Sequence, residues 1–235
     1  MVELFGSKAL RASAIEGSLF QRPTWATWAV DAAEQWAQTR EFRRFHNGGL
    51  TLFERRPGPL IQEITMQLCG TTTAPRAVFQ IYVSHAGLAN LRGVGLGRLG
   101  HECTRVASGD LGAILQPNTW ALIHLDKMSP EQLQVFLEQY VGPWMDCWMN
   151  PLNMLDTVFS NQFPLVGRRG VVEWILVEFG PSIAERYLAE VALSDEEERH
   201  LVADSLRRIA QRDRRNRPHA LAELMDCYGL RLRNV

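Results

Sequence analysis

Residues Gly95-Leu96-Gly97-Arg98-Leu99-Gly100 reproduce the Gly-x-Gly-x-x-Gly spacing with which a backbone approaches a pyrophosphate at a helix N-terminus. That chemistry needs a strand directly before the glycines, a helix directly after them, and an acid on a following strand for the ribose hydroxyl. The last clear extended segment ends near Ser84, residues 85–94 intervene, and no later strand with a terminal Asp or Glu stands at the required distance. The glycines therefore read as a turn-rich loop. Just beyond them, His101-Glu102-Cys103 and Asp110 supply types used by a metal centre or by a histidine-activated cysteine. Zinc takes three or four ligands, and His46, His85, His124, His200 and His219 form no second cluster in sequence. Ser84-His85 and Ser108-Gly109-Asp110 use the residue types of nucleophilic hydrolysis without a Gly-x-Ser-x-Gly elbow, and Glu63 reads as a solvated or ion-paired strand residue.

Arg207, Arg208, Arg212, Arg214, Arg215 and Arg217 make the best local case for phosphate contacts, since a guanidinium fork matches that geometry. No aromatics interleave with them, and an acidic run at 195–198 shares their helix, so the segment reads as a solvated helix end and nucleic acid is not an expected partner.

The elements that must position these residues follow from periodicity. Residues 50–55, 60–68 and 77–84 are extended; Ile64, Met66 and Leu68 alternate with Glu63, Thr65 and Gln67, and Phe79, Ile81 and Val83 with Gln80 and Tyr82. Short connections at Arg56-Pro57-Gly58-Pro59 and at 70–76 favour antiparallel neighbours, because a parallel crossover needs a dozen or more residues. Before them, Trp25, Trp28, Ala29, Ala32, Ala33, Trp36 and Ala37 mark an amphipathic helix over about 24–43, expected to cover the sheet and to break at His46-Asn47-Gly48-Gly49. Residues 87–116 read as a long glycine-rich excursion, and 120–125 as a short returning strand.

From Ser129 the pattern is helical. Ser129-Pro130-Glu131-Gln132 is a capping box with proline at the first helical position, and Gly142-Pro143 is expected to end that helix and begin a second, which carries Trp144, Cys147 and Trp148 until Pro151 interrupts it. Further helices are expected over 152–159, over 171–179, after a capping box at Ser194-Asp195-Glu196-Glu197, and from Pro218 to near Gly229. The expected fold is α+β: an N-terminal helix packed on a small antiparallel sheet in 1–128, then a helical region in 129–235, both in one globular unit.

The 235 residues are 46% hydrophobic, 22% charged and carry a net charge of −1, enough apolar sequence for a substantial core and too little net charge for a global attraction to polyanions. No secretory leader or membrane-spanning run is visible, and Cys69, Cys103, Cys147 and Cys227 form no Cys-x-x-Cys pair. A cytoplasmic protein with reduced thiols is the expectation, with no membrane partner and no cofactor.

The order of a helix, Phe42-Arg43-Arg44-Phe45, Leu52-Phe53-Glu54-Arg55, Ile64-Thr65-Met66-Gln67, Phe79-Gln80-Ile81-Tyr82-Val83 and a distant Trp120 resembles a bacterial domain family of unknown function. The resemblance covers about 24–126. It implies a helix followed by a small antiparallel sheet, in proteins that accompany polymorphic toxins and bind a cognate partner by surface complementarity. The leading expectation is thus a non-catalytic protein-binding module, most concretely a cytoplasmic immunity protein or antitoxin that neutralises a cognate toxin. Its binding residues are expected in the glycine-rich loop: Arg98, His101, Glu102 and Asp110. The alternative is an enzyme acting on a small molecule or nucleotide, with a pocket near that loop and His101, Cys103 and Asp110 as its candidates.

Overall fold

The computed structural model describes residues 24–47, 50–93, 104–110, 122–160, 168–212 and 217–232. Helix α1 (Thr24–Thr39) buries Ala26, Ala29, Val30, Ala32, Ala33, Trp36 and Ala37, the apolar stripe that its alanine-rich spacing dictates. It stops short of the expected 43. The Phe42 N–H donates to Ala37 O (2.9 Å) and the Glu41 N–H to Gln38 O (3.1 Å), while Glu41 takes a left-handed φ of 63°. This is a Schellman-type stop, fastened by Phe42 stacking on Trp36 at 6.2 Å.

The turn frees the next residues to extend as β1 (Arg43–Asn47), a strand that overlaps the expected helix only at Arg43 and runs into the expected break at 46–49. Strands β2 (Leu50–Arg55), β3 (Leu60–Thr71), β4 (Ala74–His85), β5 (Arg105–Asp110) and β6 (Ile123–His124) complete an antiparallel sheet in the order β1-β2-β3-β4-β5, with β6 also paired to β4. The β3–β4 ladder continues through most of the expected 70–76 turn, to Thr71 opposite Ala74. Gly70 permits this, with a φ of 91° and so close an approach to Ala74 that a Cβ would lie 2.2 Å from its carbonyl oxygen.

Among the described residues the α-helices after α1 are α2 (Ala86–Arg92), α3 (Pro130–Cys147), α4 (Pro151–Phe159), α5 (Arg168–Phe179), α6 (Pro181–Tyr187), α7 (Glu196–Ala210) and α8 (Ala220–Tyr228). The Ser129 capping box forms as the sequence requires. The cap of α7 is shifted by one residue, because Asp195 accepts from the Glu198 N–H while the Ser194 hydroxyl turns back to Val191 O. Nor does α3 end at Gly142-Pro143. An interior proline costs a helix about 3 kcal/mol, which burial of Val141, Trp144 and Met145 along the same helix offsets.

The sheet's inner face carries Phe53, Ile64, Met66, Phe79, Ile81 and Val83, joined in one apolar cluster to Trp144, Trp148, Trp174 and Leu224 of the helices. Trp148 meets Trp174 edge-on at 5.5 Å. Helix α1 lies chiefly along α3 and touches β1 and β2 less extensively, so its main cover is a helix rather than the sheet. Helix α5 packs on β5 at Gly170, where a Cβ would stand 2.6 Å from Val106 O. The architecture is α+β, and among the described residues no helix is long and apolar enough to cross a membrane.

Candidate docking groove

Of the expected binding residues, Arg98, His101 and Glu102 lie outside the described residues, as do Cys103 and the Gly95–Gly100 run. Asp110 ends β5 in register with Gln80. His85, in contrast, is placed in full. It is buried at the end of β4, where its Nδ1 accepts from the Gly87 N–H (3.1 Å) and caps α2, while Nε2 stands 2.7 Å from Glu178 Oε1 of α5. Both ring nitrogens thus hold α2 and α5 in place. Glu63 lies opposite Glu54 and Tyr82 on the outer face of the sheet. Arg207 and Arg208 both reach Asp204, at 3.4 and 3.0 Å. Among the described residues no three His, Cys, Asp or Glu side chains are grouped to hold a metal ion.

Among the described residues, the best-developed site lies where α1, β1, β2 and α3 meet. It begins with Gln62, whose even position in β3, shared with Leu60, Ile64 and Met66, turns it to the inner face. A fully buried amide needs partners. Its Nε2 donates to Met145 O of α3 (2.7 Å), and its Oε1 accepts from Arg55 Nε (2.6 Å). Arg55 then reaches Asp146 Oδ1 (3.0 Å) and Arg40 O (3.2 Å) while its guanidinium covers the Phe42 ring at 4.6 Å.

Arg40, from the turn after α1, joins the same cluster from the other side. It donates to Asp146 Oδ2 (2.6 Å) and to both oxygens of Glu138, which also accepts from Trp36 Nε1 (2.9 Å). Gly142 makes the seat: a Cβ there would fall 2.8 Å from Arg40 Nη2. The glycine that reads as a helix stop is therefore a place for a guanidinium.

The charges are mutually satisfied. The hydrogen bond from Arg40 holds the Glu138 carboxyl below its ordinary value. Burial raises the Asp146 carboxyl, but its hydrogen bonds to Arg40 and Arg55 outweigh that and leave it lowered. Such a network fixes two long side chains before anything binds, which lowers the ordering cost of recognition.

Beside this cluster opens a groove of about 850 Å³, lined by buried Phe42, half-buried Arg55 and exposed Glu41, Arg43, Phe45 and Met149. Phe45 is 45% exposed and Met149 49%, two large apolar side chains left in water among charged neighbours. Glu41 holds its left-handed backbone at this groove, and strain of that kind gathers at binding sites. A sequence signal for the network existed: a glutamine at a core-facing position of an alternating strand must find buried partners. Its partners, Met145 and Arg55, could not be read from spacing. Comparison with protein-family models, curated proteins and solved structures finds no match to this chain.

Proposed function

We propose that this protein is a non-catalytic protein-binding module that receives its partner at the groove beside β1, most concretely as an immunity protein or antitoxin for a cognate toxin. The observation that carries the reading is the pair Phe45 and Met149, exposed at a groove where Arg55 is already held by Asp146 and Arg56 by Glu54. Apolar anchors surrounded by a polar rim are the usual make-up of a protein interface, and a few of them dominate its energy. Partner class rests on the resemblance in 24–126, which supports a cognate toxin bound by complementary surfaces, and the cytoplasmic setting rests on widely spread cysteines that form no Cys-x-x-Cys pair.

The test is a titration of the full chain against the purified product of the gene adjacent to its own. A saturable complex is expected, weakened about a hundredfold by Phe45→Asp or Met149→Asp, a loss on the scale of an interface hot spot. Leu201→Asp, at an exposed position on α7, should leave it intact. No saturable complex, or a complex indifferent to both groove variants, overturns the proposal.

A further inference from the structure

Resting on that reading, we propose that the partner supplies an extended segment that adds to the sheet along β1, with an acidic residue opposite Arg43 and an apolar residue two positions away opposite Phe45. The backbone makes the first part of the case. Among the described residues β1 pairs with β2 alone, leaving the main-chain donors and acceptors of its other edge without a strand neighbour. Natural edges are blunted by prolines, bulges, short length, charged side chains or a covering element, and of these β1 has short length and the charges of Arg43 and Arg44, which discourage a like strand and favour one that brings an acid. β1 has no proline, its register to β2 is unbroken from Arg43↔Glu54 to Asn47↔Leu50, and Arg44 is tied to Glu34 of α1, which holds the strand in place. At the opposite side of the sheet β5 has α5 packed on it. Strand addition to an exposed edge draws affinity from main-chain hydrogen bonds and specificity from alternate side chains.

The side chains define what the added strand carries. Arg43 and Phe45 are alternate residues, so they lie on the same face of β1, in register with Glu54 and Leu52 on its other side. Glu54, the natural partner for Arg43, is already engaged by Arg56 Nε at 2.6 Å. Arg43 itself is exposed and enters no ion pair among the described residues. Opposite charges and apolar pairs are the favoured cross-strand neighbours, so Arg43 selects Asp or Glu and Phe45 selects an aliphatic or aromatic residue. A second copy of this chain fits less well. Antiparallel pairing of two β1 strands about Phe45 would set Arg43 opposite Asn47 and Arg44 opposite His46, providing no acid.

The experiment is hydrogen exchange on the complex formed with the adjacent gene's product, combined with Arg43→Glu and Arg43→Gln and with acidic-to-arginine exchanges in the partner. Amides within 43–47 should gain protection on binding. Arg43→Glu should weaken the complex at least tenfold, Arg43→Gln less, and one partner exchange should restore affinity to Arg43→Glu while weakening the unsubstituted chain. A complex that depends on Phe45 but leaves the 43–47 amides unprotected overturns strand addition and leaves groove docking standing. Absence of any complex overturns both. Protection of 43–47 in the chain alone, rising with concentration as sedimentation shows a dimer, overturns the inference in favour of a second copy.

Discussion

Replacing Gln62 by leucine tests whether one buried amide ties the sheet to α3 and holds Arg55 at the groove. Leucine matches the volume and removes two hydrogen bonds, Gln62 Nε2 to Met145 O at 2.7 Å and Arg55 Nε to Gln62 Oε1 at 2.6 Å. The neutral bond contributes about 1 kcal/mol and the charge-assisted one about 1.5–3 kcal/mol. The extra apolar burial of leucine returns about 1 kcal/mol. Arg55 keeps Asp146, the Arg40 carbonyl and Phe42, so its charge is not stranded. The net loss is about 1.5–3 kcal/mol, or about 3–12 °C in Tm for a chain of this length. Urea and thermal melts should show it with an unchanged denaturant slope, since the surface exposed on unfolding is nearly the same. In a cycle with Arg55→Met, the coupling should be about 1–2 kcal/mol. A destabilisation under about 0.5 kcal/mol, or additivity of the two substitutions, would refute the network as drawn.

Two further perturbations test other parts of the structure. Glu41→Gly should raise stability by about 0.5–1 kcal/mol, because a left-handed residue other than glycine carries a steric cost that glycine avoids; a lower melting temperature would show that the Glu41 side chain contributes more than its backbone costs. Burial, followed by its hydrogen bond to Glu173, pushes the Tyr228 phenol up to about 12. The folded state therefore prefers the neutral phenol, and this stability is fully present below the unfolded value of about 10 and lost as pH rises through about 12. Tyr228→Phe should lower stability at neutral pH and flatten its fall between those two values, as followed by urea melts; an equally steep alkaline fall in the variant would remove Tyr228 from the account.

Much of the secondary structure is written locally. The alternation in β3 and β4, the alanine stripe of α1 and the Ser129 capping box each act over a few neighbouring residues, and each appears where those neighbours put it. The apolar stripe, however, says only that α1 has a buried side. That this side lies chiefly along α3 depends on residues about a hundred positions away, among them Glu138, which accepts from Trp36 and Arg40.

The discrepancies share one origin. Arg43-Arg44-Phe45 has no strong propensity of its own and becomes strand because the Schellman stop at Glu41 and Phe42 releases it and β2 pairs with it. Residues 105–110, set among glycines, have too little periodicity to declare a strand until β4 offers its edge. Pro143 stays inside α3 because the tryptophan-rich packing around it outweighs its local cost. By itself, then, the sequence determined an α+β protein with an antiparallel sheet and where its well-capped helices begin. Only the tertiary structure decided that Gln62, Arg55, Arg40 and Asp146 converge beside an open strand edge, because hydrogen bonds between distant residues depend on how the elements pack and leave no periodic trace along the chain.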